Sequence, residues 1–451
     1  MRHNRIFSFF ILVVAIFVLV LSCERKLWAQ SPQVLTESLV LELAQKNNPV
    51  LAAEAERVKQ AQARFEGIKA SQLPQLSTSI TYQQEKEAPW YPVYLNGIPA
   101  PTGRAVAGFE KTYRAAISLN YLLYSSGGVE NSIRSQKLAF EGAKAQETRV
   151  SQTVQNNVLK ALYNLQRARA KLVIAEDVWD LSQEHLKQVE SFYKHGVVAK
   201  NELLRVDVDV SEAELNRIRA VNAVDVAWNA LERAVGSSLR EKYVLSTPEE
   251  SVKNVYIPEK PLDVALQQRA ELKALDYALK SSLALAQAAS AEGRPQVVLQ
   301  AESYVVDDTF FPSEKDDWKI SVTALWTFFD GGASKSKAKE ARAAADEFLY
   351  RAEDFKKQIC LEVSVAKLNL ESAMQRINVA QKQVESAEED YRMALKRYGA
   401  QVGTNIDVLD ARVALTNART QLVDAVYDTY TSESELLYSI GSNHMVAENR
   451  E

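Results

Sequence analysis

Cysteine, histidine and interior helix breakers are scarce in this 451-residue chain, and each scarcity excludes something. There are two cysteines, Cys23 and Cys360, and the second sits in a helical run, so no disulfide framework is available. Cys360 reads as a small apolar core residue rather than a reactive thiol. Four histidines (His3, His185, His195 and His444) leave little for acid–base or metal chemistry, and there is no His-Glu-x-x-His, Gly-x-Ser-x-Gly or phosphate-cradling glycine loop. His195 reads as a solvated helix-end residue, and Asp207 with Asp209 lacks the loop glycine of a calcium site. The 54 basic and 58 acidic residues leave a net charge of −4, interspersed rather than clustered, so no nucleic-acid-binding surface is indicated. All twelve prolines lie at or before Pro312, with none between Thr102 and Thr247.

What is present starts with an export signal. Arg2 and Arg5 precede an apolar run from Ile6 to Leu21, shorter than the ~17–25 residues a spanning helix needs. Cleavage after Ala29 makes residues 1–29 a signal peptide. The alternative is the lipoprotein-like box Val20-Leu21-Ser22-Cys23, which ends the signal at residue 22 and lipidates Cys23.

The rest of the chain is written twice. Gly127-Gly128 and Gly331-Gly332 each precede a long proline-free run, the first reaching Gly196 and the second Gly399. Shorter runs then end at Gly236 and Gly441. The landmarks repeat at an offset of 204 (127 to 331) or 205 (236 to 441), and duplication of this kind signals quasi-symmetric architecture. At ~1.5 Å per residue each long run makes a helix on the order of 100 Å, longer than any compact domain requires. The two repeats span 35–236 and 260–441, with a linker at 237–259 and a tail at 442–451.

Each repeat opens with helical patterns that stop at a proline, Leu51 to Ser71 before Pro74 and Leu272 to Ala291 before Pro295. Alternating runs follow: Leu76, Thr78, Ile80 and Tyr82; Ile117, Leu119, Tyr121 and Leu123; Val297, Leu299, Ala301 and Ser303; Trp318, Ile320, Val322, Ala324 and Trp326. Period-two alternation places one apolar face on each strand, and the lengths suit tilted transmembrane strands with aromatics near the ends. A soluble hairpin pair alternates in the same way. The segment between the first two runs holds Pro89, Pro92, Pro99, Pro101 and Gly103 and reads as a long exposed loop. Four strands cannot close a barrel alone, and an open edge in lipid leaves backbone groups unpaired, so strands that span require oligomerisation. The long helices carry Ala/Leu/Val seams at spacings of four and three: Val154, Val158, Ala161, Leu165, Ala168, Leu172, Ala175, and Val408, Ala411, Leu415, Ala418, Leu422, Ala425.

This order of elements, with the turn Val402-Gly403-Thr404-Asn405-Ile406-Asp407-Val408-Leu409-Asp410-Ala411 and its counterpart from Gly196 to Leu204, resembles the TolC-like outer-membrane efflux protein family over residues 35 to 441. The resemblance implies a mainly α fold with a transmembrane β part. Four strands per chain would enter a trimeric twelve-stranded barrel that continues into a long α-helical coiled-coil barrel. It implies a passive exit duct, not an enzyme, in the outer membrane of a Gram-negative-type bacterium with a long periplasmic part and no cofactor or metal. The implied partners are a periplasmic adaptor protein, an inner-membrane pump of RND, ABC or MFS type, outer-membrane lipid and two further copies of the chain.

By the same resemblance Asp407 and Asp410 form the pore constriction, Tyr398 and Glu202 a gate latch, and Gly196, Val197, Val198, Gly403 and Thr404 the adaptor-docking tip. The residues themselves also allow a plainer reading, in which Thr404 caps a helix with Asp407 at its third position. Gln401 departs from the family pattern where glycine is common, which bears on the geometry of the second turn. An exported coiled-coil structural protein or adhesin without a pore is the competing reading, and an exported enzyme a third.

Overall fold

The computed structural model describes residues 33–96, 98–106, 108–240, 242–245, 255, 257–310 and 316–442. The signal segment, Cys23, about half of the linker and nearly all of the tail lie outside these residues. The elements run β1 (Gln33–Leu35), α1 (Glu37–Asn47), α2 (Pro49–Lys69), β2 (Gln75–Gln84), β3 (Trp90–Leu95), β4 (Ile98–Val106), β5 (Lys111–Tyr124), α3 (Gly128–Lys194) and α4 (Lys200–Val235). The second half follows with β6 (Tyr243–Leu245), α5 (Pro261–Gln268), α6 (Ala270–Ala291), β7 (Gln296–Asp307), β8 (Asp316–Leu325), α7 (Ala333–Gly399) and α8 (Asn405–Ser439).

Both long helices contain 67 residues, and their starts (128 and 333) and ends (194 and 399) are offset by 205 throughout. The glycine-pair alignment is therefore one residue out. Ser126 and Gly127 have φ of 52° and 89°, matching 65° and 89° at Gly331 and Gly332, so conformation pairs Ser126-Gly127 with Gly331-Gly332. A serine takes the left-handed position that glycine holds in the other repeat, which hides the register from a search for glycines.

Two compact units arise. Among the described residues, one takes in 33–48, 155–255 and 369–434, and the other 49–154, 257–368 and 435–442. In the first, Val158, Leu165 and Leu172 of α3 and Val408, Ala411, Leu415, Ala418 and Ala425 of α8 are buried, as the seam spacing requires. Charges flank this core: Arg167 Nη2 lies 2.7 Å from Asp428, and Lys171 Nζ 2.8 Å from Asp424. The short strands β1 and β6 pair in parallel, so the linker segment returns beside the start of the first repeat. Three residues without alternation carry no strand signal of their own. Asn48 Nδ2 donates to the Ala234 carbonyl at 2.6 Å, fixing the end of α4.

In the second unit Arg269 takes the equivalent place, donating to the Ser439 carbonyl at 2.8 Å near the end of α8. It is buried and also paired with Glu271 and Glu362, so its charge is compensated. The unit's main sheet is four-stranded and antiparallel in the order β2-β5-β7-β8. The proline-bearing segment expected as a loop instead forms a separate hairpin, β3 with β4. Proline removes a donor, but a two-stranded ribbon consists entirely of edges, where that donor is dispensable. A bulge between Leu122 and Tyr124 pairs Tyr124 with Val297 and breaks the expected alternation at Leu123. Cys360 is a free thiol of intermediate burial, less enclosed than a core position would be.

Candidate membrane face and helical tip

The register of the main sheet sorts its side chains. Leu76 opposes Leu119, which opposes Ala301, which opposes Ile320; Ile117 opposes Ser303, which opposes Trp318; Leu299 opposes Val322. These share one face, on which Leu76, Ile80, Ile117, Trp318, Ile320 and Val322 are exposed. The opposite face carries Ser77, Ser79 and Thr81 with Ser118, Asn120, Gln300, Glu302, Lys319 and Ser321 in register. Arg114 pairs with Glu302 across β5 and β7 at 2.8 Å. A sheet apolar on one side, polar and ion-paired on the other, suits lipid against one face and water against the other. Its edges, β2 and β8, have no further strand beside them among the described residues. No helix among those residues is long and apolar enough to cross a membrane.

The tip is built where α3 turns into α4 and α7 into α8. Gly196 N donates to the Tyr193 carbonyl and Val197 N to Phe192; Gln401 N donates to Tyr398 and Val402 N to Arg397. The two turns are thus the same helix-ending motif, 205 residues apart. Gln401 has φ of 60° against 74° at Gly196, so it accepts the strained conformation and keeps the turn's shape. Gly403 is required for a different reason. A Cβ there would stand 3.0 Å from Arg397 Cβ and 3.2 Å from backbone.

Thr404 and Asp407 form a reciprocal cap. Asp407 N donates to Thr404 Oγ1 at 3.2 Å, and Thr404 N donates to Asp407 Oδ2 at 3.0 Å. The Thr404 N–H, followed by the Thr404 hydroxyl, holds the Asp407 carboxyl below its ordinary value. Asp410 is exposed with no hydrogen bond or ion pair among the described residues, so it plays no part in the cap. At the other turn Ala199 precedes α4 without any side-chain cap. Val197 is exposed and Val198 half-buried.

Behind the turn lies an apolar cluster of Val189, Val206, Tyr391, Ala394, Tyr398, Val408, Ala411 and Leu415. Tyr398 is buried, and its hydroxyl has no hydrogen-bond partner. Burial, then the nearby Glu202 charge, raises the phenol above its ordinary value. The structure therefore brings the two latch candidates near each other without joining them.

Sequence reasoning passed over His185, which proves to be the polar centre of the tip. It is 3% exposed, its Nε2 donates to Asn405 Oδ1 at 2.7 Å, and its ring meets the edge of Tyr398 at 5.3 Å. Burial pushes its imidazole below the ordinary value; the Asn405 hydrogen bond opposes this, while Arg412 adds to it. Arg412 is itself buried and paired with Asp209. The signal was a histidine close to the heptad seam, though nothing local named its partner. His195, in contrast, is exposed at the helix end, as expected, and Asp209 is ion-paired with Arg412.

A sheet apolar on one face, polar on the other and open at both edges suits a membrane-spanning β structure completed by further strands. The outer membrane efflux protein family model matches residues 40–237 and 262–442, and the chain belongs to that family, one of channels rather than enzymes located in the outer membrane. It is 24% identical to the probable outer membrane lipoprotein SilC of Salmonella typhimurium, over 91% of this chain and 86% of that protein. Identity to the outer membrane protein TolC of Escherichia coli K12 is 24%, over 64% of this chain and 62% of TolC. Among solved structures, CusC superposes with a TM-score of 0.76 at 19% identity, covering 92% of this chain and 94% of CusC. VceC of Vibrio cholerae gives 0.76 at 18% identity, covering 90% and 96%.

Proposed function

We propose that the chain is the exit duct of a tripartite efflux or type I secretion system, acting as a trimer. The observation that carries this reading is the sheet: four strands, apolar on one face and polar on the other, with both edges open. Three copies joined β8 to β2 would pair every edge in a twelve-stranded barrel and leave the polar faces lining water. The helices call for the same partner. Leu204, Val208, Leu215 and Ile218 of α4 are exposed at heptad-like spacing, a second apolar stripe beyond the one α4 buries in its own chain. Long helices so assembled form a periplasmic tube, and the repeats, 35–236 and 260–441, supply it in quasi-equivalent halves.

At the tip, Tyr398 and Glu202 form part of a latch across neighbouring helices, with the free phenol and the nearby carboxylate as its two halves. Asp407 and Asp410 ring the constriction. Gly196, Val197, Val198, Gly403 and Thr404 present the turns to a periplasmic adaptor, which links the duct to an inner-membrane pump of RND, ABC or MFS type. The N-terminal segment is removed on export, after Ala29 or before a lipidated Cys23.

The spanning reading is tested by replacing Val322 with Arg. A cation facing lipid at mid-depth costs ~2–4 kcal/mol, so the heat-modifiable oligomer extracted from membranes should be strongly reduced. Wild-type yield of that oligomer would remove the strands from the membrane. For the latch, single-channel conductance should rise in Tyr398→Phe and in Glu202→Gln; unchanged conductance in both leaves the tip closed by other contacts.

A further inference from the structure

Exposed aromatics and unpaired cations stand side by side where β8 gives way to α7. Trp326, Phe328 and Phe329 are 61%, 85% and 79% exposed. Asp330 then caps α7, accepting from Gly332 N and Ser334 N at 2.8 Å, and the Ser334 hydroxyl, followed by these backbone donors, holds its carboxyl pKa down to about 2. Within three turns come Lys335, Lys339 and Arg342, all exposed, none with an ion pair or hydrogen bond among the described residues. Spacings of four and three place them along one stripe of α7.

These cations do nothing for the helix. Positive charge in the first turns opposes the macrodipole, and no acidic residue accompanies them in the first turn. The stripe also has a defined side. One cavity is lined by Ile68, Leu122, Gln296, Lys337, Glu340 and Ala344. Leu122 and Gln296 belong to the polar face of the sheet, since Leu122 opposes Val298 and Thr323, in step with Ser321 and Lys319, and Gln296 opposes Leu325. The flank of α7 bearing Lys337, Glu340 and Ala344 thus continues the polar face. At 100° per residue, Lys335, Lys339 and Arg342 lie on the far flank, which continues the apolar face.

The duplication repeats the arrangement. At the 205-residue offset Phe328 and Phe329 correspond to Leu123 and Tyr124, both exposed. Lys339 and Arg342 correspond to Arg134 and Lys137 of α3, again exposed and without an ion pair or hydrogen bond among the described residues. Ser132, the equivalent of Lys337, lines the same cavity. Only Lys335 departs, answering to Glu130, whose carboxylate accepts from Ser125 Oγ at 2.6 Å.

We propose that Lys335, Lys339, Arg342, Arg134 and Lys137, with the aromatics beside them, form a collar that binds the anionic phospholipid headgroups of the membrane leaflet at the helical end of the sheet. The inference rests on the strands spanning the membrane. Rings at an interface seat at headgroup depth, and cations one to three turns beyond them meet phosphate. Charge complementarity and continuity with the apolar face select lipid over a protein occupant.

The test uses the purified full-length oligomer, titrated in detergent with phosphatidylglycerol or phosphatidylcholine, with retained lipid counted by native mass spectrometry. Wild type should retain phosphatidylglycerol several-fold over phosphatidylcholine, and inorganic phosphate should not displace it. The variant K335Q/K339Q/R342Q/R134Q/K137Q, altered only at exposed positions, should lose that preference at least fivefold while holding phosphatidylcholine as before. Equal preference in variant and wild type overturns the collar, as does displacement by inorganic phosphate, which would mark a free-anion site. Failure to retain either lipid, in both proteins, overturns the spanning reading itself.

Discussion

At the scale of single residues, two positions in the tip carry costs that measurement can expose. Gln401 holds φ of 60°, a conformation that costs a non-glycine residue roughly 1–2 kcal/mol. Its repeat-one equivalent is Gly196, at 74°. Gln401→Gly should therefore stabilise the tip by about 0.5–1 kcal/mol after the added chain entropy of glycine, read as a higher denaturation midpoint. A lower midpoint would mean that the exposed glutamine side chain holds the turn through other contacts.

His185 should make the tip sensitive to acid. Its native value is lowered, chiefly by burial, so the opened form takes up a proton first. The contribution is complete above the ordinary histidine value of about 6.5 and is lost as pH falls from there towards the lowered native value. Hydrogen exchange of peptides covering residues 399–412, corrected for the intrinsic rate, should show protection declining through that window. The His185→Gln variant should lack the decline; an identical decline would assign it to another group.

At the scale of elements, the two tip helices begin differently. α8 has the Thr404–Asp407 box, whereas α4 starts after Ala199 with no cap. Glu202 already stands three residues on, in the place Asp407 takes. Ala199→Ser completes a Ser-x-x-Glu box and should stabilise α4 by ~1 kcal/mol. It should also draw Glu202 towards the backbone and away from Tyr398, so conductance rises if the latch reading holds. Higher stability with unchanged conductance would separate the cap from the gate.

The same comparison explains why Asp407 and Asp410 behave differently. Capping uses up Asp407 within its own chain, while Asp410 is left exposed with no bond among the described residues.

At the scale of the whole molecule, the proposed trimer would cover the open sheet edges and the second apolar stripe of α4 with neighbouring copies. Trimerisation around an axis through the tip would bring three copies of Asp407 and Asp410 together, up to six carboxylates in stacked rings. Crowded like charges gain from a shared counter-ion, so the pore should prefer cations and be blocked by multivalent ones. Planar-bilayer recording of the double variant Asp407→Asn, Asp410→Asn should show both properties reduced. If preference and block survive intact, the pair serves as surface and cap, and the constriction lies elsewhere.

What the sequence determined by itself was everything periodic. The seams around Val158 and Leu415, the alternation from Trp318 to Ala324 and the proline stops before β2 and β7 follow from local geometry, so each was readable in one dimension. The duplication was readable too, but one residue out at its first landmark, because Ser126 stands where a search for glycine pairs passes over it. The pairings between distant segments came from packing in three dimensions. That Asn48 and Arg269 do the same work with unlike side chains, that β1 returns to β6, and that His185 meets Asn405 are facts of burial: groups removed from water must find a partner, and which partner depends on helices brought together from far along the chain.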